Sequence, residues 1–213
     1  MRGRMTKGKP TDGIVSRYLN RRVSRLISNY MISKGITPSP NTLTILLFLF
    51  SLTALPLYLA GLAWAGGIVV QASSILDGVD GEIARATGRA SKKGAFLDSM
   101  LDRFANMAFL MGASFYALTH SSYSPQTVLV VSMLCLSGDM LVSYIHSKAT
   151  ETLGVHPALV GVIPSIASRD VRLFILFAAS LANRVVEGMV IIACLSLFYV
   201  TAKIVECYRK AGR

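Results

Sequence analysis

The amino-acid sequence predicts an all-α polytopic membrane protein with six transmembrane helices and an N-terminal interfacial amphipathic helix. Hydrophobic residues occupy 53% of its 213 positions and charged residues only 15%, a composition outside the usual range of soluble domains. Six windows contain about 20 mostly apolar residues each, the length that crosses a bilayer. The basic residues are also concentrated in alternate loops, as in polytopic membrane proteins.

The N-terminal region divides into a basic tail and a helix. Residues 1–11 are basic and contain Gly and Pro, so we expect them to be disordered. Over residues 12–35, apolar side chains recur at helical spacing, while Arg17, Arg21 and Arg25 lie on another face. This pattern is typical of an amphipathic helix on an anionic membrane surface. The alternative is a basic helix that only satisfies the positive-inside bias.

A break at 37–42, TPSPNT, leads into the six predicted spans. They cover approximately residues 43–62, 67–84, 94–118, 126–147, 171–186 and 188–207. Nine Lys and Arg residues precede the first span and four lie within 85–93, whereas the loops 63–66 and 119–125 carry none. The positive-inside rule then places both termini and the loops 85–93 and 148–170 on the cytoplasmic side of the cell membrane. The net charge of +11 reflects this segregation and not a soluble basic face, so no nucleic-acid partner is expected.

Acidic residues concentrate in the second and third predicted spans. Of the eleven in the chain, five fall within 26 positions: Asp77, Asp80, Glu82, Asp98 and Asp102. Ionisable side chains at membrane depth cost about 2.5–3.5 kcal/mol each on insertion scales, so they are functional candidates. Helical spacing puts the four aspartates on facing sides of an antiparallel hairpin, at equal height and near the cytoplasm. Glu82 lies off that face, and we expect it in solvent or among lipid headgroups.

The four aspartates predict a metal site. Carboxylates in a low-dielectric pocket repel one another and require bound cations. Carboxylate-only ligation favours Mg²⁺ or Mn²⁺ over zinc, and four aspartates are enough for two ions that clamp phosphoryl oxygens. The sequence therefore predicts metal-dependent phosphate chemistry on the cytoplasmic side. The alternative is an ion-coupled transporter that uses the aspartates as its cation site.

The acidic hairpin also matches a known signature. Residues 77–102 read DGVDGEIARATGRASKKGAFLDSMLD and fit D-x2-D-G-x2-A-R-x8-G-x3-D-x3-D at every fixed position. The stretch resembles the CDP-alcohol phosphatidyltransferase family, whose members are six-span membrane enzymes and often homodimers. The resemblance implies that residues 12–213 form one CDP-alcohol phosphotransferase membrane domain, in which a CDP-alcohol and an acceptor alcohol give a phosphodiester and CMP.

The resemblance also implies roles for the matching positions. Asp77, Asp80 and Asp98 would bind the metal ions, and Asp102 would combine ligation with general-base removal of the acceptor proton. The CDP site would be formed by Asp77, Gly81, Ala84, Arg85 and Gly94. In this site the small residues would admit cytidine, and the Arg85 guanidinium would contact phosphate.

A second resemblance concerns the acceptor. The segments SYIHSKATETLG at 143–154 and SRDVRLFIL at 168–176 are similar to family members that handle inositol phosphates, including archaeal di-myo-inositol phosphate phosphate synthases. Lys148, Arg169 and Arg172 would then form a cationic pocket for the acceptor's phosphate. The alternative is that these three only satisfy the positive-inside bias. The donor would be CDP-inositol or a CDP-linked lipid.

Overall fold

The computed structural model describes residues 13–211. Every regular element in this range is helical, which confirms the predicted all-α class; the predicted disordered tail at 1–11 lies outside the described residues. The first element is a π-helical turn, Ser16–Asn20. The α-helices are α1 (Arg21–Ser33), α2 (Pro40–Leu52), α3 (Ala54–Leu59), α4 (Ala63–Ala86), α5 (Lys92–His120), α6 (Pro125–Leu153), α7 (Arg169–Leu181) and α8 (Val185–Ala211), with a 3-10 turn at Pro157–Leu159.

Capping residues fix the helix ends around α5 and α6. The Oγ of Ser91, just before α5, accepts a hydrogen bond from the backbone N–H of Gly94 at 3.0 Å. Ser124 caps α6 in the same way and accepts from the backbone N–H of Thr127 at 3.2 Å. Helix α6 ends at Leu153 and is followed by Gly154, whose φ of +64° lies in the left-handed region that favours glycine. The serine caps leave only short loops on either side of α5.

Three of the helical segments described are long and apolar enough to cross a membrane: the α2–α3 pair (Pro40–Leu59), α6 and α8. Helices α4 and α5 have 24 and 29 residues but carry the charged residues of the hairpin. Helix α7 has 13 residues and rises about 20 Å, less than the hydrocarbon thickness of about 30 Å. The helix at the fifth predicted span thus begins and ends earlier than expected, and six crossings remain a prediction.

The main apolar core contains residues of α3, α4, α5, α6, α7 and α8. Its largest fully buried side chains include Tyr58, Phe109, Leu176 and Met189, and the Tyr58 hydroxyl lies 2.6 Å from Ser180 Oγ. Helix α2 packs against both α4 and α5, whereas α4 and α5 contact each other little. The two helices of the predicted antiparallel hairpin therefore border a cleft that α2 closes, and they pack against α2 more than against each other.

The N-terminal helix contacts α4 through a polar face. Asn20, Ser24 and Ser28 recur every four residues and are buried. Ser24 and Ser28 donate to the two carboxylate oxygens of Glu82 at 2.9 and 2.7 Å, and Arg21 pairs with Glu82 at 3.5 Å. Because Glu82 is only 6% exposed, the expectation of a solvent or headgroup position is wrong. Glu82 instead accepts hydrogen bonds at a buried contact between the N-terminal helix and α4. We call this contact, of Asn20, Ser24 and Ser28 with α4, the α1–α4 seam.

Candidate metal and phosphate site

A small cavity lies at the acidic hairpin, and we call it the carboxylate cavity. It has a volume of about 30 Å³ and is lined by side chains of α2, α4 and α5 and by Arg169 of α7. All four predicted aspartates belong to this lining: Asp77, Asp80, Asp98 and Asp102. The helical spacing read from the sequence therefore does turn the four carboxylates toward one space.

Three of the four carboxylates converge closely. Asp77, Asp98 and Asp102 each offer an oxygen, and these oxygens lie within 4.8 Å of one another. A donor set made only of carboxylate oxygens suits hard divalent ions such as Mg²⁺ and Mn²⁺. The residues present thus fit the predicted metal.

Asp80 occupies a more enclosed position in the same wall. Its carboxylate accepts hydrogen bonds from the Thr44 hydroxyl of α2 and from the backbone N–H of Gly81. Asp80 is 6% exposed and does not belong to the converging triad. The contact with Thr44 shows why α2, which the sequence did not connect with the site, is part of it.

Arg169, the first residue of α7, extends into the acidic cluster. Its Nη1 lies 3.0 Å from Asp77 Oδ1 and its Nη2 lies 3.1 Å from Asp102 Oδ1. Its Nε donates to the side-chain oxygen of Asn106 at 3.0 Å. A guanidinium therefore already offsets part of the negative charge of the carboxylate cavity.

The remaining predicted CDP-binding residues lie on the side of the aspartates that faces the α4–α5 loop. The Arg85 side chain is exposed and folds over Gly81, where an added Cβ would lie 3.1 Å from Arg85 Nη1. Ala84 is buried, and Gly94 faces the start of α2, where a Cβ would lie 3.1 Å from Asn41 Oδ1. Gly81 and Arg85 are thus brought together, and a nucleotide-binding role for this group stays a prediction.

A second cavity of about 210 Å³ adjoins the first, and we call it the cationic cavity. Four arginines contribute to its wall: Arg21, Arg103, Arg169 and Arg172. Asp77 and Asp170 also line it, the latter accepting a hydrogen bond from a backbone N–H of the N-terminal helix. Because Asp77 and Arg169 line both cavities, the two spaces share a wall.

Three residues that line the cationic cavity carry buried polar atoms that have no hydrogen-bond partner among the described residues. These atoms are Arg103 Nη1, Arg172 Nε and Ser168 Oγ. Buried polar groups are normally paired, so such atoms call for an explanation. Two guanidinium nitrogens and a hydroxyl around a polar space are suited to a phosphate group.

A buried network that sequence reasoning missed supports this cavity. Asp139 of α6 is 3% exposed, pairs with Arg172 Nη2 at 2.8 Å and accepts from the side-chain nitrogen of Asn106 at 3.2 Å. Asn106 also binds Arg169, so the network joins the two arginines. An acid in the middle of the fourth apolar window was a signal for function that could have been used.

Lys148 is not brought together with Arg169 and Arg172. Its Nζ donates to Glu151 Oε2 at 3.0 Å, its side chain is 51% exposed, and it lines neither cavity. Its predicted contact with the acceptor therefore rests on the resemblance alone.

The loop 154–168, which contributes to the wall of the cationic cavity, is fastened to α8. Lys203 is fully buried and donates to the Val160 carbonyl and to Glu206 Oε2, both at 2.7 Å. Glu206 Oε1 in turn accepts from the backbone N–H of Val162 at 2.8 Å. We call this arrangement the loop clamp, defined by Lys203 and Glu206.

Two histidines also line the cationic cavity. The ring centroids of His146 and His156 lie 4.6 Å apart, and His146 Nε2 is 2.9 Å from the Tyr199 hydroxyl. Burial, and to a smaller extent the charge of Lys203, lowers the pKa of His156, so this ring is neutral at neutral pH. A neutral imidazole offers a hydrogen-bonding group without adding charge.

The fold and the site together define an all-helical, membrane-type protein in which an acidic cluster borders an arginine-lined cavity. A family model described as CDP-alcohol phosphatidyltransferase matches residues 38–201, and the chain belongs to this family of transferases. The resemblance seen in the acidic hairpin is therefore confirmed. The family assignment decides against the alternative of an ion-coupled transporter.

Similar proteins include enzymes of inositol phosphate metabolism. The bifunctional IPC transferase and DIPP synthase of Aquifex aeolicus is 33% identical over 204 residues, which cover 94% of this chain and 45% of that protein. The archaetidylinositol phosphate synthase of Pyrococcus horikoshii is 36% identical over 185 residues, which cover 86% of this chain and 90% of that protein. The chain thus spans less than half the length of the bifunctional relatives that it matches.

A solved structure has the same fold. The phosphatidylinositol phosphate synthase of Mycobacterium tuberculosis with CDP-DAG bound superposes with a TM-score of 0.72 at 24% identity, covering 88% of this chain and 94% of that one. The same enzyme in complex with manganese and citrate gives a TM-score of 0.71, also at 24% identity, with coverage of 87% and 88%.

Proposed function

We propose that this protein transfers a substituted phosphate from a CDP-alcohol to the hydroxyl of an inositol phosphate, with release of CMP. The observation that carries the proposal is the shared wall of Asp77 and Arg169 between the carboxylate cavity and the cationic cavity. A diphosphate bound at the acids would lie beside an acceptor phosphate bound at the arginines. Relatives named for the synthesis of inositol-containing phosphodiesters support this choice of acceptor.

The metal site would be formed by Asp77, Asp80, Asp98 and Asp102. Bound Mg²⁺ or Mn²⁺, as a pair of ions, would stabilise the negative charge that develops on the diphosphate and on departing CMP. The solved relative in complex with manganese supports the choice of ion. Thr44, by its hydrogen bond, fixes the orientation of the Asp80 carboxylate toward the cavity.

Asp102 would act as the general base. The acceptor hydroxyl oxygen forms a bond to the β-phosphorus of the CDP-alcohol, and the bond from that phosphorus to the bridging oxygen of CMP breaks. The hydroxyl proton passes to the Asp102 carboxylate, and CMP leaves with the bridging oxygen. The Asp102 side chain is 21% exposed, so a substrate can reach it, and Arg169 holds one of its oxygens at 3.1 Å.

The nucleotide would bind on the loop side of the aspartates. The small residues Gly81, Ala84 and Gly94 would admit cytidine, and the exposed Arg85 would contact the diphosphate. A side chain at Gly81 would compete with the Arg85 guanidinium for the same space.

The acceptor phosphate would bind in the cationic cavity. Arg169 and Arg172 are joined there by Arg103, whose buried Nη1 has no partner among the described residues. Lys148 would contribute from the exposed end of α6. The neutral His156 and the nearby His146 are suited to the hydroxyl groups of a polyol. The donor would be CDP-inositol, which gives a soluble product, or a CDP-linked lipid.

We also propose a membrane arrangement for the chain. Six spans would place both termini and the active site on the cytoplasmic side, in agreement with the positions of the basic loops. The N-terminal helix would lie in the interface, because Tyr18, Leu26 and Tyr30 face away from α4 and are each more than 60% exposed. The protein would also form a homodimer. A measurement of the molar mass of the purified protein in detergent tests this.

The function is tested by CMP release from a panel of donors and acceptors. Purified protein given CDP-inositol or a CDP-lipid, together with an inositol phosphate, should release CMP only with Mg²⁺ or Mn²⁺. Asp102→Asn should abolish the release without lowering the melting temperature. Failure of every CDP-alcohol to yield CMP would contradict the proposed reaction, and normal turnover by Asp102→Asn would contradict the general base.

A further inference from the structure

Arg169 occupies a position between two sites that must hold opposite charges. Toward the carboxylate cavity its two terminal nitrogens contact Asp77 and Asp102 at 3.0 and 3.1 Å. Its third nitrogen donates to Asn106 at 3.0 Å, and the side chain is 17% exposed. On its other side the same guanidinium lines the cationic cavity.

We infer that Arg169 couples the two sites, so that a phosphate bound in the cationic cavity tightens divalent-metal binding to the aspartates, and the metal tightens phosphate binding equally. The inference rests on the proposed function, because it takes the aspartates as metal ligands and the arginines as the phosphate site. It adds a dependence between them that neither site has alone. Arg169 thus acts as a positioning residue as well as a phosphate ligand.

The first step is competition for the same carboxylates. Asp77 and Asp102 belong to the converging triad, and both are ion-paired to Arg169. A dication on these oxygens and a guanidinium at about 3 Å from them repel each other, and a cavity of 30 Å³ has room for little water to screen them. Metal affinity is therefore lower while Arg169 contacts the acids than it is once those contacts weaken.

The second step is relief of that competition by an anion. Arg103 Nη1, Arg172 Nε and Ser168 Oγ form a set of buried donors around the cationic cavity. A phosphate bound to them attracts the guanidinium of Arg169, which can share its N–H groups with phosphate oxygens in a bidentate contact. Each N–H group that donates to a phosphate oxygen weakens the ion pair of Arg169 with Asp77 or Asp102.

The coupling is reciprocal by thermodynamic necessity. If phosphate raises metal affinity by a given factor, the metal raises phosphate affinity by the same factor. For the reaction, this means that the aspartates bind the metal most tightly when the acceptor is present. Donor cleavage without an acceptor in place is thereby disfavoured.

The test measures Mn²⁺ binding without any donor, from the electron paramagnetic resonance signal of free Mn²⁺ in detergent solution. In the wild type, millimolar inorganic phosphate should lower the Mn²⁺ dissociation constant roughly tenfold, within the usual range of coupling between sites. Arg169→Gln should bind Mn²⁺ more tightly than the wild type without phosphate, and phosphate should then have no further effect.

Arg103→Gln provides the matched control, because Arg103 lines only the cationic cavity. This variant should bind Mn²⁺ with the wild-type affinity when phosphate is absent, and phosphate should change that affinity less than in the wild type. Complexes that Mn²⁺ and phosphate form in solution are the same in all samples, so they do not affect the comparison between variants. If Arg169→Gln does not fold, Arg169→Lys replaces it: one ammonium cannot bridge both carboxylates, so an intermediate affinity is expected.

Two results would overturn the coupling: equal Mn²⁺ affinity in wild type and Arg169→Gln, or an equal phosphate effect in both. Absence of Mn²⁺ binding to the wild type is a different result, since it would contradict the metal site of the proposed function itself. The two failures are therefore distinguishable.

Discussion

At the scale of single residues, Arg103 shows how a buried donor without a partner indicates a ligand. Its Nη1 is buried, and no acid of the described residues forms an ion pair with it. Arg172, by contrast, pairs with buried Asp139, so Arg172→Ala would leave a buried charge uncompensated and lower stability, by about 3–5 kcal/mol. Arg103 is consequently the better position for a test of acceptor binding.

We predict that Arg103→Gln raises the acceptor KM about tenfold and leaves the donor KM unchanged. Loss of a charge-assisted hydrogen bond to phosphate costs roughly 1.5–3 kcal/mol, and the lower end of this range corresponds to about tenfold, as expected when glutamine retains a neutral hydrogen bond. Steady-state kinetics with each substrate varied in turn gives both constants, and Arg209→Gln at the exposed end of α8 is the control. An equal rise in both KM values would count against a separate acceptor cavity.

The sequence was informative about residues whose roles depend on one helix or on a single hairpin. The four aspartates could be placed because helical spacing alone decides which way they turn. Glu82 was misplaced because its partners, Ser24 and Ser28, lie more than fifty positions away on a helix whose docking the spacing cannot reveal. Asp139 could have been noticed as an acid within an apolar window, but spacing could not reveal its pairing with Arg172 of another helix.

At the scale of elements, the loop clamp connects the last helix to the site. The loop 154–168 supplies His156, Ser165 and Ser168 to the cationic cavity, yet it has only one short turn of regular structure. Lys203 and Glu206 hold its backbone through three groups within the short segment 160–163. At Gly161, φ is +71° and a side chain would overlap the Glu206 carboxylate, so the clamp also depends on glycine there.

We predict that Lys203→Met raises the acceptor KM several-fold with little change in kcat, because the loop loses its anchor while the aspartates are untouched. Methionine is of similar length but cannot donate to the Val160 carbonyl. Lys210→Met, at the exposed end of the same helix, is the control and should leave both constants unaltered. A fall in kcat at constant KM would argue that the clamp serves the chemical step and not the acceptor.

At the scale of the whole molecule, the order of helices was predictable and their packing was not. Hydropathy located all six apolar windows, and a helix lies at each of them. The shortness of α7 and the insertion of α2 between α4 and α5 depend on contacts between distant segments. Apolar patterning is uniform around a helix in lipid, so it does not indicate which neighbour a helix contacts.

We predict that the loops on the two sides of α5 face opposite sides of the membrane. In a background in which Cys135, Cys194 and Cys207 are replaced by Ala, Ala90→Cys should react with an impermeant maleimide only after the cells are opened. Ser122→Cys should react in intact cells, because the loop 119–125 lacks basic residues. Labelling of both positions from outside would contradict the proposed orientation.

The two adjoining cavities draw on different parts of the polypeptide. Apart from Arg169, the carboxylate cavity is built by α2, α4 and α5, whereas the stretch 142–172 supplies most of the cationic cavity. On the proposed function, changes in one contiguous segment would alter selectivity for the incoming alcohol, while the residues proposed to bind the metal and the nucleotide would be retained. A chimera that exchanges this segment between relatives but retains Arg169 is expected to change the acceptor that is used and to leave the four aspartates unaltered.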